Sequence, residues 1–366
     1  MRKNVALLTL PLSDNYGGML QIIALYALIE ELGHQPLYIH KVENRTVLKK
    51  CAASILENIP GQDFRGIRVR ALGRKRHYSE LAARMPVRTR QVKSGAEISE
   101  EMRRLSVQAV VVGSDQVWRR EYQGDRGDLN YFLDFNLGSA RRISFAASFG
   151  RSEWSESGDT SRISAALRRF HSVSVRERSG VEICRSTFGL NNAECVLDPT
   201  LAVDPKFYDS FDHNSGPKGG VVTYVLDYAG EVAKIARFAA ERASLPVKRV
   251  TTYPDKSLSQ WVATFRDADF VVTDSYHGVL FSIIFSKPFL VVPNGDRGLD
   301  RFTSLLGQLG LEDRMVRGGA DWRAKISSPI DYSLIGLKLE PLREQSREFL
   351  RNALANDDLE TVRAGI

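Results

Sequence analysis

The sequence predicts an α/β protein of two doubly wound units with a cleft between them, on three observations. Short apolar runs alternate with segments of helical periodicity from the first residues to about residue 292, the alternation that builds parallel sheets with helices on both faces. A polar stretch containing Gly and Pro, Asp209–Gly220, interrupts that alternation. The length, 366 residues of which 43% are apolar, suits two full cores at roughly 150 residues per unit.

The elements follow in order. Val5–Leu10 is an apolar strand, and Met19–Leu32 sets Leu20, Ile23, Ala24, Ala27 and Leu28 at helical intervals before Gly33. Leu37–His40 supplies the next strand, so the chain opens as a βαβ unit, for which a right-handed crossover and a parallel sheet are expected. Ala109–Val112, Arg142–Ala147, Ser172–Val175 and Glu194–Val196 continue as strands, with helices at Ser161–Phe170 and Arg178–Phe188. Asp198-Pro199 closes this half, and 1–208 is taken as the first domain. Beyond the linker, a second domain, 218–330, holds strands Gly220–Leu226, Val247–Val250, Phe270–Thr273 and Phe289–Val292. Its helices are Glu231–Ala243, Leu258–Asp267 and Gly278–Phe285. In 337–363, Leu339, Leu342, Phe349, Leu350 and Ala353 share one face, which suits a helix packed across the structure.

Composition removes several classes of function. Cys51, Cys184 and Cys195 form no C-x-x-C pair and leave one odd, so neither a zinc knuckle nor a disulfide framework is supported, and a reducing cytoplasm is the default. The opening reads as a first strand, not a signal peptide. The longest apolar run elsewhere, Val279–Phe285, stops at Lys287 and Pro288, far short of the roughly 20 residues a membrane span needs. The net charge is +7, and segment 62–104 alone carries 12 Lys or Arg against 5 Asp or Glu. Such a segment is either a solvated helical face or a surface for polyanions. No recognition motif for nucleic acid accompanies it.

Ligands of open α/β sheets bind beyond the carboxyl ends of the strands, so the loops there are the places to search. Ser13-Asp14-Asn15-Tyr16-Gly17-Gly18 follows the first strand. Its paired glycines allow close approach, and the next helix start offers free N–H groups to an anion, although a tight turn would use the same residues. Ser114, Asp115, Gln116 and Trp118 follow Val112-Gly113 and suit a sugar: Asp115 as acceptor or base, Gln116 as donor and acceptor, Trp118 as a stacking ring. A helix cap with a core Trp is the alternative. Arg176 ends another strand, placed either to fork an anion or to pair with Glu177 or Asp198. Thr273-Asp274-Ser275-Tyr276-His277-Gly278 brings a carboxylate, a hydroxyl and an imidazole to a helix start. His277 is the best general-acid candidate of the six histidines; His34, His40, His77, His171 and His213 lack a comparable setting. Arg297 and Arg301 lie in a Gly-rich loop after the last strand, where Arg301 could face the same cleft. No two histidines stand at metal-ligand spacing and no Gly-x-Ser-x-Gly elbow occurs, so neither a metal nor a serine hydrolase is supported.

At these loops the sequence resembles the polysaccharide pyruvyl transferase family. The matching stretches are Asn15-Tyr16-Gly17-Gly18 with Gln21, Val112 to Trp118, Ser144 to Gly150, Val175-Arg176-Glu177, Leu197-Asp198-Pro199-Thr200, Thr273 to Gly278, and Arg301-Phe302 with Leu305-Leu306. The resemblance implies two Rossmann-like domains in a GT-B-like arrangement, phosphoenolpyruvate as donor, no cofactor, and a ketal joining pyruvate to two hydroxyls of one sugar. It implies His277 and Asp115 as catalytic residues. Donor contacts would come from Arg176, Ser275, Tyr276, Gly278, Lys287 and Arg301, acceptor contacts from Asn15, Tyr16, Gly17, Gly18, Ser114, Gln116 and Trp118. Where better-studied relatives carry Arg two positions before the histidine, this chain has Ser275. Arg301, Arg176 or Lys287 would then supply the missing charge.

Phosphoenolpyruvate carries a carboxylate and a phosphate, so its site needs cations and amide donors. His277 is expected to protonate the methylene carbon or assist phosphate departure, and Asp115 to deprotonate the sugar hydroxyl. The acceptor expected from the family and from segment 62–104 is a lipid-diphosphate-linked oligosaccharide at the cytoplasmic membrane face. Two other readings remain open at this point: a GT-B-type glycosyltransferase using a sugar nucleotide, and a non-catalytic protein docking through 62–104 on an anionic membrane or partner.

Overall fold

The computed structural model describes residues 2–12, 15–42, 65–123, 128–155, 158–211, 218–227, 229–252, 254–317 and 322–355, with backbone alone at 65–71, 229 and 296. Ser13, Asp14, Cys51, residues 62–64 of the basic segment, 212–217 of the linker and 356–363 of the C-terminal segment lie outside the described residues.

Six parallel strands form the first sheet: β1 (Asn4–Leu8), β2 (Gln35–Tyr38), β3 (Ala109–Gly113), β4 (Arg141–Ala147), β5 (Ser172–Val175) and β6 (Glu194–Cys195), in the order β2-β1-β3-β4-β5-β6. Four more form the second: β7 (Val221–Tyr224), β8 (Val247–Val250), β9 (Phe270–Thr273) and β10 (Phe289–Val291), in the order β10-β9-β7-β8, again all parallel. The two-unit α/β architecture expected from the alternation is therefore present. Central strands are buried at every position: Ala109–Gly113 carries no polar side chain and Phe270–Thr273 only its final Thr273, as suits strands covered on both faces.

Strand order reverses between β1 and β3 in one sheet and between β7 and β9 in the other. At such a switch point the crossovers leave the sheet in opposite directions and open a crevice at the carboxyl ends. α1 (Tyr16–Glu31) leaves β1, and α9 (Tyr276–Ile284) leaves β9, each starting at its own switch point.

α1 is apolar almost all round, and it is buried all round, because the second half covers the side the first sheet does not. It ends at Leu32, with Gly33 at φ +82° supplying the left-handed turn. Tyr16 stacks on Trp261 (centroids 5.6 Å apart), and Trp261 in turn meets Tyr224 and Phe281, so one apolar core runs from the first sheet into the second.

Two helices tie the halves. α2 (Arg65–Arg84), read from sequence only as part of a basic segment, lies against the loop 254–258 of the second half. Arg76 donates to Pro254 O (3.0 Å), His77 Nε2 meets Lys256 O (2.8 Å), and Leu258 N donates to Glu80 (2.8 Å). α12 (Tyr332–Leu354) starts beside Lys287, where Tyr332 reaches the carbonyl, and ends on the first half, where Lys3 and Arg141 cap its last carbonyls. Among the described residues no helix is long and apolar enough to cross a membrane.

Candidate active site

The carboxyl ends of β3, β5, β6 and β9 bring together a set of polar side chains that apolar strands alone could not tolerate. Asn15 caps α1, its Oδ1 accepting from Gly18 N (3.1 Å), while its Nδ2 donates to Asp115 Oδ2 (3.4 Å). Ser275 caps α9 by accepting from Gly278 N (3.4 Å), which sets His277 in the first turn of that helix. The two helix starts touch there. Gly17 lies against the imidazole so closely that any Cβ at position 17 would overlap Nδ1.

Asp198 is the hub of the cluster and is fully buried. Its Oδ1 accepts from Thr200 N (3.0 Å) and Oγ1 (2.8 Å); its Oδ2 accepts from Arg176 Nη1 (2.9 Å) and competes with Ala146 O (3.1 Å) for the single proton of Ser114 Oγ (3.1 Å). His277 Nε2, which has no hydrogen-bond partner among the described residues, stands 3.8 Å from the same Oδ2. Burial opposes ionisation of Asp198, but the adjacent His277 and Arg176 with the Thr200 N–H hold its carboxyl below the ordinary range. Burial lowers the His277 pKa, against the pull of Asp198 and Asp115.

Arg176 is buried, and although burial works against its charge, Asp198 and Asp115 (Nη2–Oδ1 3.5 Å) fix it as a cation. Its guanidinium lies 4.7 Å from the Tyr276 ring centroid, and Arg301 lies 5.3 Å from the same centroid. Arg301 is buried and makes no ion pair among the described residues; it donates to Gly298 O (3.3 Å) and to Arg297 O. Burial and then the charge of Arg176 depress its pKa to about 10, against the pull of Asp115 and Glu177, so it remains a cation at neutral pH with no ion-pair partner among the described residues. Glu177 does not pair with Arg176. Its Oε1 accepts from Ser148 Oγ (2.9 Å), Phe149 N (2.9 Å) and Gly150 N (3.3 Å), its Oε2 has no partner, and burial raises its pKa.

Of the residues singled out from sequence, Asn15, Gly17, Gly18, Ser114, Asp115, Arg176, Ser275, Tyr276, His277, Gly278 and Arg301 meet at this junction. Four go elsewhere. Trp118 is fully buried, bonded through Nε1 to Tyr131 O (3.0 Å) and stacked on Phe132, so its ring is core and has no role as a sugar platform. Tyr16 spends its hydroxyl on Lys256 O and N (3.2 and 3.1 Å) and its ring on Trp261, a tie between halves in place of an acceptor contact. Gln116 likewise donates to Arg297 O (2.9 Å) and holds the 294–301 loop against the first half. Lys287 precedes β10 and therefore lies at the amino edge of a parallel sheet, opposite the junction. Asp274 also belongs to the scaffold, accepting from Leu226 N (2.7 Å) and Asp227 N (2.6 Å).

Sequence reasoning treated Asp198 and Glu177 only as ion partners of Arg176. The available signal for Asp198 was its Asp-Pro-Thr context, in which an Asp binding its own following turn keeps one oxygen free. Among the described residues no cluster of three or more His, Cys, Asp or Glu is placed to hold a metal ion.

The model of the polysaccharide pyruvyl transferase family matches residues 15–296, a span that contains Asn15, Asp115, Arg176, Asp198 and His277 and stops just before Arg301. No curated protein matches the sequence. Solved structures with similar folds include UDP-GlcNAc 2-epimerase from Methanocaldococcus jannaschii in complex with UDP-GlcNAc and UDP. It is 11% identical, with a TM-score of 0.48, over 96% of this chain and 99% of that one. Another is Arabidopsis thaliana UGT89C1 complexed with UDP-L-rhamnose, 13% identical with a TM-score of 0.44, over 96% of this chain and 94% of that one. With the family match covering most of its length, from the cap of α1 past the loop that carries His277, the chain belongs to the polysaccharide pyruvyl transferase family.

Proposed function

We propose that this enzyme transfers pyruvate from phosphoenolpyruvate to two hydroxyls of one sugar in a surface or exopolysaccharide precursor, forming a ketal and releasing phosphate. The observation that carries the proposal is Arg301: a buried cation with no carboxylate partner among the described residues, sharing the Tyr276 ring with Arg176 at the point where two helix N-termini meet. An uncompensated buried charge is costly, and a donor bearing a carboxylate and a phosphate removes that cost. Arg301 is thus the cation we assign to the charge that Ser275 does not carry.

The proposed chemistry takes two protons from the two hydroxyls and places one on the donor's methylene carbon and the other on the departing phosphate, which leaves as hydrogen phosphate. A proton added to the donor's methylene carbon makes C2 electrophilic, and a sugar hydroxyl attacks it. Phosphate then leaves, and the second hydroxyl closes the ketal. Burial disfavours the charged form of His277; an adjacent polyanion reverses that preference and loads the imidazole with the proton it delivers. Asp115, held by Asn15 and Arg176, takes the proton of the attacking hydroxyl. Arg176, neutralised by Asp198, orients Asp115 and the donor together.

The sugar-nucleotide alternative is disfavoured by Asp274, whose carboxylate occupies the Leu226 and Asp227 amides at the β7/β9 switch point, where a diphosphate would otherwise be cradled. A lipid-diphosphate-linked acceptor at the cytoplasmic membrane face is the class we assign, on the positive balance of segment 62–104. Replacing His277 with Ala should abolish phosphate release from phosphoenolpyruvate in the presence of acceptor while leaving donor binding measurable by thermal shift; near-normal turnover refutes the assignment.

A further inference from the structure

The Asp198 carboxylate does more than a buried counter-ion requires. One oxygen is saturated by its own turn, through Thr200 N and Oγ1. The other faces donors from three separate segments: Arg176 after β5, Ser114 after β3, and His277 on α9 of the second half. Two of those donors are in hydrogen-bond contact. The third, Nε2 of a buried imidazole with no other partner among the described residues, stops 3.8 Å away, about 1 Å beyond a charge-assisted hydrogen bond.

We propose that Asp198 is the positioning residue of this site: its Oδ2 fixes Arg176 and Ser114 and receives the Nε2–H of His277 whenever that imidazole is protonated. The inference rests on the reading of His277 as the proton carrier. It adds that the carrier's charge is set from the opposite half of the molecule, so that drawing the halves together by about the missing 1 Å couples closure to proton loading. Asp198 touches neither donor nor acceptor in this role; it acts through the imidazole and the guanidinium.

The charged groups facing the imidazole are Asp198, Asp115 after β3, Arg176 after β5 and Arg301 at the start of α10 (Asp300–Leu309). Tyr276, its neighbour in sequence, is held neutral by burial, and α1 presents Gly17, which has no side chain. Only Asp198 stands within 4 Å of Nε2 as an ion-pair partner among the described residues.

Histidine imidazole resonances of the uniformly 15N-labelled full chain read the His277 titration directly, without turnover. Asp198→Asn removes the negative neighbour and leaves Arg176 with Asp115 as its remaining carboxylate partner among the described residues, so the His277 midpoint should fall by about one pH unit or more. Ser114→Ala removes one competing donor from Oδ2 and leaves the charge, so the midpoint should rise. Opposite movements are not expected of a carboxylate that merely supports the fold. A midpoint unchanged in both variants, or moved in the same direction by both, overturns the proposal. If Asp198→Asn does not fold, Ser114→Ala decides alone: a raised midpoint supports the pairing and an unchanged or lowered one overturns it. Failure of the pyruvyl-transfer reading looks different, because the wild-type chain would then release no phosphate from phosphoenolpyruvate while the two midpoints still diverged.

Discussion

Single atoms decide much at the junction. A methyl group on Gly17 has nowhere to go but into the His277 ring, whereas one on Gly18 would meet the Asn15 amide at 3.1 Å, a contact that a small shift relieves. Gly17→Ala should therefore move the imidazole by a substantial fraction of an ångström and cut phosphate release about 100-fold, with donor binding retained; Gly18→Ala should cost far less, and equal losses in the two variants would show that the imidazole contact is not the cause. Glu177 makes a prediction about pH. Burial raises its folded-state pKa above the ordinary value of about 4.3, so the folded chain binds the proton more tightly than the unfolded one. The resulting stability is fully present below about pH 4.3 and is lost as pH rises through the elevated folded-state pKa. Glu177→Gln carries no such proton. Urea unfolding at pH 5 and pH 8 should show the stability of Glu177→Gln relative to wild type increasing with pH, and a difference independent of pH would contradict the assignment.

At the scale of elements, legibility followed the strength of local patterning. The strand Phe270–Thr273 and the helix after it are continuous apolar runs bounded by polar caps, and the sequence placed both, together with the cluster Ser275-Tyr276-His277 at their junction. α1 was placed as well, but its start was not: Met19 is where apolar periodicity begins, while the Asn15 cap begins the helix at Tyr16. α2 has little apolar stripe to read, since beside Leu81, which joins the core, its contacts to the second half are made by Arg76, His77 and Glu80 to backbone atoms of 254–258. A basic run thus concealed a strap between the halves. Three of the four displaced candidates share one cause. Trp118, Tyr16 and Gln116 are polar or aromatic groups beside a switch point, and sequence cannot say whether such a group faces the ligand or the other half. Lys287 is a candidate from sequence for the charge that Ser275 lacks, but one helix separates it from His277 and carries the chain to the opposite edge of the sheet. Asp198, named from sequence as an ion partner of Arg176 and within a family stretch, is not singled out there as a site residue for the converse reason: β6 is only two residues long, and its loop reaches the site from the edge of the sheet.

At the scale of the molecule, the two halves present unlike surfaces to their shared junction. The second sheet's switch point is closed by its own side chains: Asp274 fills the amides after β7, and Asp227 is held by Asn294 (2.9 Å) and by Arg297 Nη2 (2.9 Å). Arg301, a buried cation with no ion-pair partner among the described residues, lies beside Tyr276 and Arg176, and so between the halves. Close contacts already bridge there, with Gly298 lacking room for a Cβ against Gly150 O (2.6 Å) and Gly17 against His277. A small trianion can therefore be held by both halves at once, whereas a nucleoside diphosphate sugar needs the amides that Asp274 occupies. In thermal unfolding, phosphoenolpyruvate at 100 times its dissociation constant should stabilise the chain by about 2.7 kcal/mol, and sugar nucleotides at the same concentration should not. Arg301→Ala should remove most of the donor's effect, because it deletes the charge the donor compensates and leaves the Asp198–Arg176 pair intact. Stabilisation by a sugar nucleotide with none by phosphoenolpyruvate would transfer the ligand to the second sheet and with it the reaction, since the proton carrier at position 277 would then face a leaving diphosphate and no enol carbon.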